Sequence, residues 1–551
     1  MARGPAGIIP LPVTNLWGCA LRRVLLVTTQ SAYSYVVEVV SSLRKDYEID
    51  VVASRAPVAQ FVSSEELARE LAERLGRCDY DYVVVPGLIR GSTRVIEEVL
   101  GCRVFKGSRY AGDIPTVLEL LEEGLELSHE VPADDLYRER FLRSLEESLR
   151  SLSASKVPAF RLRGVDVYVD PPPILLLLEV NIDRGGDFLG RVRRALEAGF
   201  DGVVVGCGTT CGRADLLARA VSQVRDLVGD LPVGLDVSRP GELTRDLVDG
   251  VDLVMNVTAR DVDRVAGVLG SGRGVVVIPE DISSLDTALG SVRLALERLR
   301  EVGVGKVVVD PLVKPPGVGL AESLVRFHHL RRSLSYPHLF STANVYEMVD
   351  ADSHGVVALL MALALELGAS VVLATEESDK ATWAVEEHAI ARLMAYSSAA
   401  RRSPPKDTPY GVDLLVLKEK RYAAQRPPDV EAPVRYVGAV PPTPDPRYFV
   451  RIYVDHPRGE VVVDVHDAAS GRVLARYVGR EATSLARAVV RDLALTPEHA
   501  AYLGYELCKA ELALKLRRGY TQDSEVLRSP ADKLRELNLR LPRAGPTGKL
   551  K

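Results

Sequence analysis

Five polar residues, Asn181, Asp236, Asn256, Asp310 and Asn344, stand at or just beyond the ends of separate short apolar runs. Two carboxylates and three carboxamides, with almost no Lys or His at the run ends, suit a flat, neutral heterocycle. A buried carboxylate takes two parallel, charge-assisted hydrogen bonds from an amino-pyrimidinone edge. Carboxamides complement mixed donor and acceptor positions. A 2-amino-4-oxo pterin ring offers such an edge. The competing explanation is that each residue caps the helix that follows, as Asp and Asn commonly do. Either explanation serves for one residue; five such tips around one ring favour a site.

The runs that must position them are Ile174–Val180, Val203–Gly206, Val233–Val237, Leu253–Val257, Val275–Ile278, Val307–Asp310, His338–Thr342 and Val371–Thr375. Amphipathic stretches with helical spacing separate them. Strands alternating with helices imply a parallel sheet. Eight such units predict a closed (β/α)8 TIM barrel over 161–400, with its active site at the C-terminal strand ends.

At 551 residues the chain is too long for one ordinary domain. Residues 1–21 read as a leader, and 22–160 as a Rossmann-like α/β domain with a helical linker. The strand tips Thr28–Ser31 and Pro86–Ser92 of that domain suit an anion at a helix N-terminus. No GxGxxG or GxxxxGK[ST] accompanies them, so an ordinary strand-to-helix turn is the preferred reading. After the barrel, a proline-interrupted linker with one strand (Val412–Leu417) leads into a small C-terminal α+β domain, 401–525 in all. Strands Tyr448–Val454, Glu460–Asp467 and Val473–Val478 precede helices Ser484–Leu493 and Thr496–Arg517. A polar tail (526–551) carries one candidate helix, Ala531–Leu537.

A formal charge of -5 gives no basic footprint for nucleic acid. No apolar stretch approaches the roughly 18–20 residues that span a bilayer. No signal peptide is evident, so a cytoplasmic protein is expected. Six cysteines in this length do not make a disulfide framework. The Cys207/Cys211 pair is weak as a metal site and reads as small-residue packing or a stray thiol pair; no metal is expected. Abundant Arg, Val and Leu hint at a heat-adapted source.

The segments LEVNID (178–183), GLDVSRP (234–240), LVMNVT (253–258), VVVDPLV (307–313) and LFSTANVYEM (339–348) resemble the pterin-binding domain family. That family holds dihydropteroate synthase and the pterin-dependent methyltransferases that pass a methyl group to a corrinoid. The resemblance implies that Asp236, Asn256 and Asp310 hold the pterin. More narrowly, 23–525 resembles the archaeal dihydropteroate synthase-related proteins, whose signature is similar to His499–Asp523.

Departures from the synthase pattern bear on the chemistry. Ser341-Thr342-Ala343-Asn344 stands where the synthases carry a Ser-Arg-Lys segment, and Ala374-Thr375-Glu376-Glu377-Ser378 where they carry Arg-x-His. Glu376 and Glu377 are expected to repel a diphosphate. Arg184 or Arg213 is a candidate for the missing positive charge. Glu376 and Lys380 are further candidates for second-substrate contacts.

Thr342-Ala343-Asn344-Val345-Tyr346 is similar to the methyltransferase segment, whose Asn lies near pterin N5. The resemblance thus implies catalytic roles for Asn344 and Asp310. The expectation is a reduced-pterin-binding transferase of folate or methanopterin metabolism, acting on tetrahydrofolate or tetrahydromethanopterin by methyl or one-carbon transfer. The alternatives are synthase-like condensation of a dihydropterin diphosphate with an arylamine, or a non-catalytic pterin carrier. A corrinoid protein is the candidate partner, with Tyr502, Tyr505 and Tyr520 as a docking surface, and a homodimer is the candidate assembly.

Overall fold

The computed structural model describes residues 8–10, 22–41, 43, 47–154, 156–184, 187–207, 214–240, 243–270, 272–406, 412–417, 435–438, 443 and 445–527. The chain divides into two compact units, Met1–Tyr422 and Ala423–Lys551.

The first unit opens with a sheet of β1 (Ile8–Pro10), β2 (Arg22–Thr28), β3 (Tyr47–Ala53), β4 (Tyr82–Val85) and β5 (Val104–Lys106), in the order β1-β3-β2-β4-β5. Strands β2 to β5 pair in parallel. Their continuous apolar runs follow from helices covering both faces: Leu26 and Val84 belong to one core, Leu25 and Val83 to the other. The helix Ser64–Leu75 begins at a capping box in which Ser63 and Glu66 satisfy each other's backbone N–H.

Three features differ from expectation. The leader contributes β1, which lies antiparallel on β3 with Ile8 opposite Val52. β5 is only three residues long, too short for a periodicity to register. Cys78 and Cys102 form a disulfide with their Cα atoms 6.1 Å apart, and Cys207 is also disulfide-bonded.

A hairpin of β6 (Phe160–Leu162) and β7 (Val165–Val167) then precedes the barrel strands. These are β8 (Leu175–Asn181), β9 (Gly202–Gly206), β10 (Val233–Asp236), β11 (Leu253–Val257), β12 (Gly274–Val277), β13 (Lys306–Val309), β14 (Leu339–Ser341) and β15 (Val371–Thr375). Seven neighbouring pairs run β13-β12-β11-β10-β9-β8-β15-β14. A parallel bridge between Val309 and His338 closes the ring. This is a (β/α)8 barrel.

Alternation sorts its side chains. Leu176, Leu178, Val203, Val205 and Val254 pack outward beneath the helices. Leu175, Leu177, Val204, Leu253, Met255, Val276, Val308 and Leu339 fill the interior. Leu162 and Val167 of the hairpin join that interior cluster and stopper one end. Gly274, at the start of β12, leaves them room, since a Cβ there would meet Leu162 Cδ2 at 3.3 Å. Beyond the barrel, Val412–Leu417 is a series of bends and not the expected strand.

In the second unit β16 (Tyr448–Asp455), β17 (Glu460–Asp467) and β18 (Val473–Gly479) form an antiparallel sheet. Helices Ala482–Leu493 and Pro497–Lys515 pack on it through Leu485, Val489, Leu503 and Leu507. Thr496 caps the second helix, its hydroxyl accepting from His499 N at 3.3 Å. The candidate helix Ala531–Leu537 lies outside the described residues. Among the described residues no helix is long and apolar enough to cross a membrane.

Candidate active site at the barrel mouth

The inward face of β8 runs Leu175, Leu177, Glu179, Asn181, so the two apolar layers give way to polar ones at the C-terminal end. On β10 the residue after Gly234 on the same face is Asp236. β11 reaches the ring by a bulge. Its register on β12 shifts between Val254 and Val257, and Asn256 there adopts φ 61°. Asn is among the few non-glycine residues that tolerate this region. The bulge turns its carboxamide toward β10, where Nδ2 donates to Asp236 Oδ1 at 2.7 Å.

Asp310 follows the inward Val308 of β13 and is buried. Leu312 N donates to its Oδ1 at 2.7 Å. Leu312 itself has φ 63°, and the buried Arg326 holds that turn by donating to Pro311 O (2.8 Å) and Leu312 O (2.5 Å).

These acids influence one another. Burial pushes Asp310 up to about 7, Asp236 adds to the rise, and the Leu312 N–H and Arg326 oppose it. Burial also raises Asp236, against the hydrogen bond from Asn256. Glu179 is raised by burial first, then by Asp236 and Glu377. Gly206 makes room for it, because a Cβ there would lie 2.8 Å from Glu179 Oε1. The mouth therefore holds acids that retain protons near neutrality beside one fixed carboxamide. Such a ring can accept from paired N–H donors and can give up a proton.

The remaining expected residues are placed differently. Asn181 Oδ1 accepts from Asp183 N at 2.9 Å, while its own N–H donates to Glu377 Oε1 at 3.0 Å. Its carboxamide thus serves a turn. Asn344 is exposed in the short helix Ala343–Tyr346 and donates to Val313 O at 3.0 Å, bracing the loop after Asp310.

Glu376 is clasped by Arg194 Nη1 and Nη2 at 2.7 and 3.2 Å. The same guanidinium holds Glu386. Lys380 donates to Val349 O. Both residues are committed to internal contacts, and the expected repulsion of a diphosphate by Glu376 is offset by Arg194. Arg213, Cys211 and the side chain of Arg184 lie outside the described residues.

Glu179 and Arg191, which were not picked out from the sequence, complete the mouth beside Glu377. Arg191 Nη2 lies 3.8 Å from Glu377 Oε1, and its Nε and Nη2 are buried without a hydrogen-bond partner among the described residues. The available signal was Glu179 itself, one acid interrupting the buried run LLLLEVN. Among the described residues, no group of three or more His, Cys, Asp or Glu side chains is arranged to hold a metal ion.

Comparison with known proteins bears on the second unit most directly. Residues 444–523 match the PterinBD-DUF4346 family model. The chain is 27% identical over 533 residues to an uncharacterized protein of Methanocaldococcus jannaschii, covering 92% of this chain and 99% of that one.

Its structure is similar to dihydropteroate synthase of Yersinia pestis (17% identity, 44% of this chain and 98% of that chain, TM-score 0.34). It is also similar to dihydropteroate synthase of Thermus thermophilus (20% identity, 42% and 96%, TM-score 0.33). The barrel assignment rests on the strand pairing described above.

Proposed function

We propose that the barrel mouth binds a reduced pterin and that the protein transfers a methyl or other one-carbon group at pterin N5. The observation that carries this reading is the Asp236–Asn256 pair standing beside buried Asp310. An ionised carboxylate there takes the ring N–H and the exocyclic amine together, and the Asn256 carboxamide meets the neighbouring edge. The match to the PterinBD-DUF4346 family model supports a pterin as the ligand.

When a methyl group leaves N5, the C–N bond breaks, its electron pair stays on nitrogen, and nitrogen takes a proton. Glu179, which burial and its acidic neighbours keep protonated near neutrality, is suited to supply it. Asn344 Nδ2 is held by Val313 O, which leaves its Oδ1 to accept from N5 once that nitrogen is protonated.

Calorimetric titration with 5-methyl-tetrahydrofolate and 5-methyl-tetrahydromethanopterin tests the reading. Wild type is expected to bind at least one of them, and Asp310→Ala to weaken that binding by about tenfold or more. Absence of binding to both, or equal binding by the variant, removes it.

One observation favours the condensation chemistry. The partly unpaired Arg191 guanidinium at the mouth is suited to a diphosphate leaving group. Diphosphate release from a dihydropterin diphosphate with an arylamine present, lost in Arg191→Ala, would shift the assignment to condensation.

A further inference from the structure

The N-terminal sheet has its own crevice. The chain passes from β2 to β3 on one side, then crosses back over β2 to β4, so its direction of travel reverses between β2 and β4. Ligands of open α/β sheets bind outside the carboxyl ends of the strands at such a reversal. A cavity of about 200 Å³ lies there, reached by Thr28 at the end of β2, Thr29 after it, Pro86 after β4 and Gly107 after β5.

Its walls are mainly apolar, among them Leu26, Val36, Val84, Leu88, Ile114 and Val117. Most of its polar side chains are already engaged. Ser31 donates to Pro57 O at 2.6 Å, Ser108 to Asp113 at 2.6 Å and Tyr110 to Lys406 O at 2.5 Å. Arg109 is held by Asp134 at 3.0 Å and by Asp135.

Two groups differ. Thr28 and Thr29 line the cavity at 5% exposure each, and neither hydroxyl has a hydrogen-bond partner among the described residues. These hydroxyls open onto the cavity, where the polar edge of a bound ligand can meet them.

We infer that this cavity is a second small-molecule site, taking an uncharged compound of one or two fused rings whose polar edge meets Thr28 and Thr29. An apolar cavity of roughly 150 Å³ accepts benzene, so the volume here admits a slightly larger ring. Charge is disfavoured in either sign. The one cation of the wall is neutralised by two carboxylates, and Asp113, behind Ser108, is bound by Arg401 at 3.0 Å.

Arg401 ends the last barrel helix, Ala384–Arg401, which starts at the mouth side. The cavity shares no lining residue with the barrel mouth. The cavity is thus a different place from the pterin ring.

Titration of the full chain with indole tests the inference, with inorganic phosphate as the charged counter-probe. Wild type is expected to bind indole at roughly millimolar concentration or below. The isosteric Thr28→Val/Thr29→Val pair is expected to weaken it about tenfold, and Ala32→Leu, which fills the cavity, to abolish it. Asp310→Ala should bind indole as wild type does, so loss of the pterin reading leaves this one standing. Phosphate binding in place of indole overturns it, as does indole binding that Ala32→Leu leaves unchanged. Should a variant unfold, methyl NMR shifts of Val36 and Ile114 in wild type locate the probe, and shifts confined to other methyls overturn the assignment.

Discussion

Asn256 reaches Asp236 across two neighbouring strands because its own backbone is left-handed, at φ 61°. A side chain without a local polar group pays about 1–2 kcal/mol for that conformation. The recognition residue and the bulge that aims it are therefore the same residue.

Substitution separates those two roles. Asn256→Ala should lower stability by about 1 kcal/mol more than Asn256→Gly, which tolerates positive φ. Both should lose pterin binding alike, since both lose the carboxamide. Urea denaturation read beside calorimetry checks this, and a Gly variant that binds as wild type would contradict it.

The buried acids make stability depend on pH with a defined sign. Folding raises Asp310 from its ordinary 3.8 to about 7, so the folded chain holds a proton that the unfolded chain has lost. That contribution is complete below about pH 4 and disappears as pH rises through 7. Glu387, raised to about 7 by burial, acts in the same direction. His388, lowered by burial to about 4, acts oppositely and only below about 6.5. Between about pH 6.5 and 8 the denaturation midpoint of wild type should therefore fall, and that of Asp310→Asn should fall less.

Arg194 joins Glu376 after β15 to Glu386 in the next helix. Arg194→Ala should cost about 1–2 kcal/mol, a partly exposed guanidinium being worth less than a buried one. Glu376→Gln should affect stability before ligand affinity, because the carboxylate is already spent on Arg194. A calorimetric change at unaltered melting temperature would show instead that Glu376 contacts ligand.

The Cys78–Cys102 bridge closes a loop with a sequence separation of 24. Replacing both cysteines by serine should lower stability by about 3 kcal/mol, by the loop-entropy relation. Reductant should destabilise wild type at least as much in thermal unfolding, since it also opens the bond made by Cys207.

What the sequence disclosed follows from burial. The barrel strands were legible because each is covered on both faces and reads as an unbroken apolar run. Asp236, Asn256 and Asp310 were legible because each ends such a run. Glu179 holds the corresponding place in Ile174–Val180, but Asn181 just beyond it offers the more conspicuous polar tip, and Gly206 on the adjacent strand accommodates the acid. The grip of Arg194 on Glu376 spans 182 positions, beyond any local pattern. β1 was missed because it is three residues long, and Val412–Leu417 was overread because its apolar residues are exposed at Leu415, Val416 and Leu417.

The hairpin of Leu162 and Val167 has a kinetic corollary. Because its residues join the apolar layers that fill the barrel, Glu179, Asp236 and Asp310 are approached from the mouth side. If two molecules share the mouth, the deeper one enters first and leaves last.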